Sequence, residues 1–255
     1  MTPDLEQIKE LLDYKTNIYN DISFIEDDPV SIPHKFDRKE DIEIAGFLAA
    51  SISWGQRKTI LTNSNRLLKM MDFNPYLFIT TAGENDFNEF ESFRHRTFNG
   101  DDCIFFLKAL RNIYLHHGGL EQVFMKHAGE GMKKSIGYFR EIFFTVPYQS
   151  RTGKHVADPA KGSPAKRINM FLRWMVRNDD RGVDFGIWKN ISPSLLYCPL
   201  DIHTGNVARK LGLIRRKQND WAALEELMAQ LREFDPGDPV KYDFALFGLG
   251  IYEKF

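Results

Sequence analysis

The stretch GSPAKRINMFLRWMVR, residues 162–177, decides the fold class of this 255-residue chain. Pro164 favours the first position of a helix, because proline lacks the N–H group that a helix start leaves unpaired. Apolar residues then follow the spacing of one helix face, at Phe171, Leu172, Met175 and Val176. The stretch therefore predicts an amphipathic helix that begins at Pro164.

Helical spacing also dominates the sequence on both sides of this stretch, and the period-two alternation of strands is hard to find. Residues 42–71 predict two helices joined near residues 53–56, and residues 101–102 predict an N-cap for the helix that follows. Asp201 is expected to cap another helix, and residues 238–239 to open the last one. We therefore predict an all-α protein.

Residues 146–163 are rich in glycine, proline, serine and charged side chains, and they lack an apolar period. This composition predicts a long connecting loop and marks the best internal boundary. We expect two helical subdomains that flank a cleft. One comprises residues 40–145, and the other combines residues 1–39 with residues 146–255.

Charge is unevenly distributed, although the formal net charge is only −1. Residues 151–217 contain 14 Lys and Arg but 5 Asp and Glu, whereas the remainder contains 20 basic and 30 acidic residues. Such segregation indicates either a polyanionic partner or the solvated faces of ordinary helices. No apolar run of about 18 residues occurs, so we expect no membrane span.

The two cysteines, Cys103 and Cys198, form no CxxC pair, and the histidines have no clustered partners at metal-ligand spacing. The acidic, polar N-terminus lacks the basic-then-apolar layout of a signal peptide. We therefore expect a cytoplasmic protein with no metal, no other cofactor, no membrane association and no obligatory protein partner.

Two residues carry the side chains that nucleophilic chemistry needs. Lys166 is expected in the first turn of its helix, where the helix dipole and Arg167 disfavour the charged ammonium. An uncharged, accessible amine is the nucleophile of Schiff-base chemistry. An ionised Asp201 at a helix N-cap can orient such an amine or stabilise a developing sugar cation. The structural alternatives are an exposed helix lysine and a simple helix cap.

The segments around these two residues resemble those of the helix-hairpin-helix DNA glycosylase superfamily. PLDIHTGNVARKLGL, residues 199–213, resembles its proline-x-aspartate-x-histidine segment, and residues 162–175 resemble the segment that carries its lysine. Lys166 precedes Asp201 by 35 positions, a spacing close to that of the archaeal 8-oxoguanine glycosylases. The whole chain also resembles an uncharacterised conserved bacterial family.

The resemblance implies a helix-hairpin-helix glycosylase-like fold in which Lys166 and Asp201 are the catalytic residues. Other positions of the family contact the base or its phosphate. In this chain they correspond to Gln56, Met170, His203, Asp243 and Phe247.

The hairpin segment departs from the family pattern. Family members alternate apolar residues with glycine, so that backbone N–H groups grip a DNA phosphate, whereas VADPAKGSPAKR, residues 156–167, keeps only Gly162. We therefore expect an irregular hairpin, with basic side chains that supply the contacts to the nucleic-acid backbone. The candidates are Arg151, Lys154, Lys161, Arg167 and Arg209.

These segments together predict a DNA glycosylase with β-lyase (AP lyase) activity in base excision repair. The expected partner is double-stranded, damaged DNA, and the expected lesion is an oxidised purine. Two alternatives stay open at the level of sequence. The irregular hairpin favours a non-catalytic nucleic-acid-binding protein of the same fold, and the near-zero net charge favours a helical scaffold or interaction protein.

Overall fold

The computed structural model describes residues 4–255, and these residues form α-helices connected by short 3-10 turns. Their only β pairing is an isolated bridge between His95 and Phe98, so the predicted all-α class is confirmed. None of the helices in this range combines the length and apolarity that crossing a bilayer needs. The α-helices in chain order are α1 Leu5–Tyr19, α2 Lys39–Ser51, α3 Arg57–Met70, α4 Pro75–Thr81, α5 Gly100–His116, α6 Leu120–Met125, α7 Met132–Phe143, α8 Lys166–Val176, α9 Ile202–Lys210, α10 Trp221–Phe234 and α11 Tyr242–Ile251.

The chain divides into two compact units. Unit 1 combines the N-terminal part up to Ile25 with Ala157–Phe255, and it holds α1 and α8–α11. Unit 2 is Glu26–Val156, and it holds α2–α7. Unit 2 therefore contains the predicted range 40–145 together with residues 26–39 and 146–156, which the sequence assigned to the other subdomain. The predicted cleft and the helix-hairpin-helix arrangement stay predictions.

Unit 1 is built around α11, which contacts both α1 and α9. Its sequence, YDFALFGLGI, is apolar almost all round, as expected of a helix with neighbours on more than one side. Gly248 allows the closest approach, because a Cβ atom at this position would overlap the ring of Tyr19 in α1. The absence of a side chain at Gly248 thus sets the distance between α1 and α11.

Unit 2 has an aromatic core. Apolar residues of α7 recur at helical spacing and bury Phe139 and Phe143. The ring centroid of Phe143 lies 5.5 Å from that of Phe47 in α2 and 5.0 Å from that of Phe106 in α5. Ring pairs at such distances add to the stability that area burial supplies. Three helices are joined through one residue of α7.

The predicted starts of α5 and α11 need correction, whereas the predicted joint between α2 and α3 is confirmed. The N-cap of α5 is Asn99, whose Oδ1 accepts from the backbone N–H of Asp102 at 3.1 Å. Asp102 returns the contact, since its Oδ2 accepts from Asn99 N at 2.9 Å, and this reciprocal pair is a capping box. The last helix, α11, begins at Tyr242, after a 3-10 turn at Pro239–Lys241.

Gly248→Ala should lower the free energy of unfolding by about 1–3 kcal/mol, because the added methyl group overlaps Tyr19. Gly137→Ala is the matched control, since Gly137 also lies in a helix but a Cβ atom there meets no other part of the chain within 4 Å. That control should stabilise the protein by up to about 1 kcal/mol. Urea unfolding followed by circular dichroism measures both. Equal effects of the two substitutions would contradict the close packing of α1 on α11.

Candidate functional site

Lys166 is the first residue of α8, and the turn before it determines where the helix begins. Ala165 has a left-handed backbone with φ 47°, so the predicted helix start at Pro164 is wrong. The side-chain amide of Asn169 donates to the carbonyl of Pro164 at 2.9 Å and closes this turn. Lys166 nevertheless lies in the first helical turn, as the sequence predicted.

Ala165 is strained as well as buried. A left-handed conformation costs an L-residue with a side chain about 1–2 kcal/mol, and Ala165 is fully buried. Such strain persists where the surrounding structure imposes it, which is common at functional sites. Asp72, Phe73, Arg96 and Lys254 also have positive φ, so the strain at Ala165 shows only that its surroundings impose the turn before Lys166.

The predicted hairpin segment forms a 3-10 turn at Pro159–Lys161, followed by Gly162 with φ 85°. The Asp158 carboxylate caps this turn by accepting from Ala160 N at 3.0 Å. The backbone N–H of Trp221 donates to the carbonyl of Gly162 at 2.9 Å, which ties the segment to the start of α10.

Asp201 is the N-cap of α9, as predicted, and its Oδ1 accepts from the backbone N–H of Thr204 at 3.0 Å. The carbonyl of Asp201 accepts from the side chain of Asn219 at 2.8 Å. Asn219 in turn accepts from Arg209, and it lies so close to Gly205 that a Cβ atom there would meet it at 2.6 Å. These contacts hold the start of α9 in one position.

The Lys166 amine and the Asp201 carboxylate meet, although 35 positions separate them. Nζ of Lys166 lies 3.9 Å from Oδ2 of Asp201, which is close enough for an ion pair but too long for a hydrogen bond. The two side chains are 30% and 24% exposed, so both are within reach of solvent. At this distance the carboxylate can stabilise a developing cation directly, and a proton can pass between the two groups through one water molecule.

Asp243 of α11 is the third charged member of this site. The side chain of Asp243 is buried, and its Oδ2 accepts from Nη1 of Arg173 in α8. The pKa of Asp243 is raised to about 6, mainly because the carboxylate is buried. The negative charge of Asp201 raises this pKa further, whereas the positive charges of Arg173 and Lys166 lower it. The charges of Lys166 and Asp201 thus act on Asp243, while one of its carboxylate oxygens is bound to Arg173.

The other residues predicted to contact the base differ in exposure. Met170, one turn after Lys166 in α8, is 9% exposed. Phe247, one turn after Asp243, is half-buried, with its ring 6.0 Å from that of Phe24 and nearly perpendicular to it. His203 is exposed at the second residue of α9. Gln56 belongs to unit 2, where it is the exposed N-cap of α3.

Arg151 is bound within unit 2. Its guanidinium donates to Asp102 Oδ2 at 2.7 Å and to Asn99 Oδ1 at 2.9 Å. Thr152 donates to the other oxygen of Asp102 at 2.7 Å, and His155 Nε2 lies 3.2 Å from Oδ2. These contacts fasten residues 150–155 onto α5, so the donors of Arg151 serve the fold of unit 2.

The remaining candidates for contacts with the nucleic-acid backbone lie in three kinds of environment. Lys154 and Lys161 are exposed. Arg167 is half-buried, and burial lowers its pKa to about 10. Arg209 donates to Asn219 and to the carbonyl of Arg216. Of the five basic candidates, Lys154 and Lys161 are exposed, whereas the three arginines are half-buried.

Sequence reasoning missed the ion pairs inside unit 1. Asp184 accepts from Nε of Arg173 at 3.2 Å through one oxygen and from Nη1 of Arg177 at 3.2 Å through the other. Arg177 also donates to Asp238 at 2.8 Å. An arginine inside the apolar run of residues 170–176 is the signal, because a buried cation needs acidic partners. Part of the basic excess of residues 151–217 is therefore internal.

No group of three or more His, Cys, Asp or Glu side chains within residues 4–255 is arranged to hold a metal ion. A family model described as "Protein of unknown function (DUF2400)" matches residues 28–252. No curated protein gives a significant match to the chain, and no solved structure does so.

Asp102→Asn should lower the free energy of unfolding by about 2–4 kcal/mol, because it leaves Arg151 and its neighbours without their anion. Burial raises the pKa of Asp102, but the hydrogen bonds from Asn99, Thr152 and Arg151 and the charge of His155 outweigh it, so the pKa lies below 3.8. The carboxylate thus contributes stability above about pH 4 and loses it as pH falls through the lowered pKa. Urea unfolding measures this: between ~pH 7 and ~pH 3, the free energy of unfolding should fall less in the variant than in wild type.

The matched control is Asp101→Asn, which changes the exposed neighbour on the same helix turn. We expect this substitution to shift the unfolding free energy by less than about 0.5 kcal/mol. Equal effects of the two substitutions would contradict the role of Asp102 as the anchor of residues 150–155.

Asp201→Ala removes the acceptor that caps α9 and should cost about 1 kcal/mol of unfolding free energy. Asp201→Asn keeps an acceptor at this position and should stay within about 0.5 kcal/mol of the wild type. Denaturant unfolding separates the two. If asparagine costs as much as alanine, the capping contact is not what Asp201 contributes to stability.

Proposed function

The chain belongs to the DUF2400 family of proteins of unknown function, and we propose that this member is a DNA repair glycosylase with β-lyase activity. The supporting observation is the approach of the Lys166 amine to the Asp201 carboxylate at 3.9 Å, with both side chains within reach of solvent. A buried lysine, or one far from the acid, would have removed the basis for Schiff-base chemistry.

In the proposed reaction, the amine of Lys166 attacks C1′ of a damaged nucleotide flipped from the stack, while the bond from C1′ to the base breaks. The base leaves with that electron pair and takes up a proton, and Asp201 accepts a proton from the new ammonium. Opening of the sugar ring gives an imine between Nζ and C1′. Loss of a proton from C2′ then breaks the bond between C3′ and its phosphate oxygen, and water releases the enzyme.

Substrate recognition is proposed for the residues of unit 1 that the resemblance assigns to base and phosphate contacts. Met170 and Phe247 supply apolar surface for the base, and His203 contacts a phosphate. Exposed lysines at positions 154 and 161 contact the DNA backbone, which makes binding weaken as salt concentration rises. The proposed substrate is double-stranded DNA that carries an oxidised purine.

A non-catalytic nucleic-acid-binding protein is the second candidate. It is favoured by the segment before Lys166, which forms a 3-10 turn and has glycine at position 162 but no apolar–glycine repeat. If the protein only binds nucleic acid, Lys166→Gln leaves oligonucleotide binding unchanged, and no covalent intermediate forms.

Borohydride trapping tests the proposed reaction, because it reduces the imine to a stable covalent bond between protein and DNA. Wild type should give a trapped product with at least one duplex from a panel that contains oxidised purines, oxidised pyrimidines and an abasic site. Lys166→Gln should abolish the product, and Asp201→Asn should reduce its rate by about 100-fold or more. Denaturing gel electrophoresis measures the product.

Lys189→Gln is the matched control, since Lys189 is an exposed lysine of unit 1 outside the site, and it should trap like wild type. If wild type gives no trapped protein–DNA product with any duplex of the panel, the glycosylase proposal is wrong. Salt-dependent binding without trapping would then favour the second candidate.

A further inference from the structure

The Lys166 amine and the Asp201 carboxylate do not hold each other in place. The 3.9 Å between Nζ and Oδ2 is longer than a hydrogen bond, and both side chains are within reach of solvent. An ion pair of this kind gains too little energy to fix either side chain. The distance between the two groups therefore depends on the backbone segments that carry them, namely the turn before α8 and the start of α9.

A short segment at the start of α10 is bound to both of these backbone segments. This segment, the 219–221 bracket, comprises Asn219, Asp220 and Trp221. The side-chain amide of Asn219 donates to the carbonyl of Asp201 at 2.8 Å. The backbone N–H of Trp221 donates at 2.9 Å to the carbonyl of Gly162, four positions before the lysine. The bracket thus connects the segment before the lysine with the residue that carries the acid.

The bracket is itself fixed by the first turn of α10. The side chain of Trp221 is buried, and its Nε1 donates to Glu225 at 2.7 Å. Asp220 is the N-cap of this helix, and its Oδ1 accepts from the backbone N–H of Ala223 at 3.0 Å. The contacts to Gly162 and to the Asp201 carbonyl therefore start from one well-supported helix end.

The surface of α9 leaves room for the side chain of Asn219. A Cβ atom at Gly205 would lie 2.6 Å from Oδ1 of Asn219 and 2.9 Å from Nη1 of Arg209. Glycine is unfavourable inside a helix, but here it lets the hydrogen-bonded pair of Asn219 and Arg209 lie against the helix. Because Oδ1 accepts from Arg209, the donor Nδ2 faces the Asp201 carbonyl. The orientation of the amide is therefore determined from both sides.

We propose that Asn219 is a positioning residue that sets the distance between the Lys166 amine and the Asp201 carboxylate. The proposal rests on the function given above and deepens it, since it assigns a support to the same pair. Asn219 acts through the backbone: its amide fixes the Asp201 carbonyl, while the capping contact with Thr204 fixes the direction of the carboxylate. Reaction rates depend steeply on such geometry, because a displacement of about 1 Å can cost about 100-fold.

Zero-length cross-linking with a carbodiimide tests the proposal without DNA. The reagent activates a carboxylate, and an amine that can reach it then forms an amide bond, so the yield reports the approach of the two side chains. Mass spectrometry compares the Lys166–Asp201 product with the Lys108–Glu84 product in the same sample. The latter pair is an ion pair of unit 2 at 2.6 Å, and partial unfolding would affect both products.

Asn219→Ala should lower the ratio of the two products about threefold or more, because the Asp201 carbonyl loses its donor. Gly205→Ala should have the same effect, since its methyl group displaces the amide of Asn219. This second variant leaves every polar group in place and adds a better helix former. It therefore separates the position of the amide from its presence.

Gln218→Ala is the matched control, because Gln218 is the exposed neighbour in the same loop. Its ratio should stay within about 1.5-fold of wild type. The proposal is overturned if Asn219→Ala keeps the wild-type ratio, if Gln218→Ala lowers it as much, or if wild type gives only the Lys108–Glu84 product. If Asn219→Ala fails to fold, Gly205→Ala decides.

The outcome is separable from that of the proposed function. If no duplex traps wild type, the glycosylase proposal fails, while the cross-linking ratio still decides whether Asn219 positions the pair. If trapping succeeds, Asn219→Ala should lower the single-turnover rate about 10- to 100-fold and change the dissociation constant of the duplex less than about twofold. A loss of binding with an unchanged rate would contradict the positioning role.

Discussion

Arg173 is 3% exposed, and a guanidinium removed from water must be matched by anions, since an unpaired buried charge costs several kcal/mol. The two acids that match it, Asp184 and Asp243, come from different parts of unit 1. Burial of the Arg173 charge therefore fixes the positions of α8, the segment after it and α11 relative to one another. Because Lys166 lies two turns earlier on α8, the same ion pairs determine where its backbone stands.

Asp201 has two roles that its two oxygens divide between them. Oδ1 accepts the hydrogen bond that caps α9, and Oδ2 faces the Lys166 amine. The capping contact restricts the rotation of the carboxylate, so the second oxygen keeps its direction towards the amine. The sequence leaves a helix cap and a catalytic carboxylate as alternatives, and the division between the two oxygens makes the cap compatible with the proposed role.

The contacts of Asp102 in unit 2 show why the charge counted along a sequence is a poor measure of the charge at the protein surface. Arg151 is counted in the basic stretch, yet its partner Asp102 lies 49 positions earlier and outside that stretch. In unit 1, Arg173 likewise finds Asp243 70 positions later. A count over a window includes one member of each pair and leaves out the other, so it overstates the positive charge available to a polyanion.

Local patterns in the sequence determined the helical class, the joint between α2 and α3, the capping role of Asp201 and the place of Lys166 in a first helical turn. Each depends on interactions within a few residues, which propensity and spacing record. The start of α8 was missed, because the left-handed backbone of Ala165 is imposed by its surroundings. The approach of Lys166 to Asp201 and the pairing of Asp243 with Arg173 join residues 35 and 70 positions apart. Only the packing of the helices decides such contacts, because no local preference relates residues at that separation.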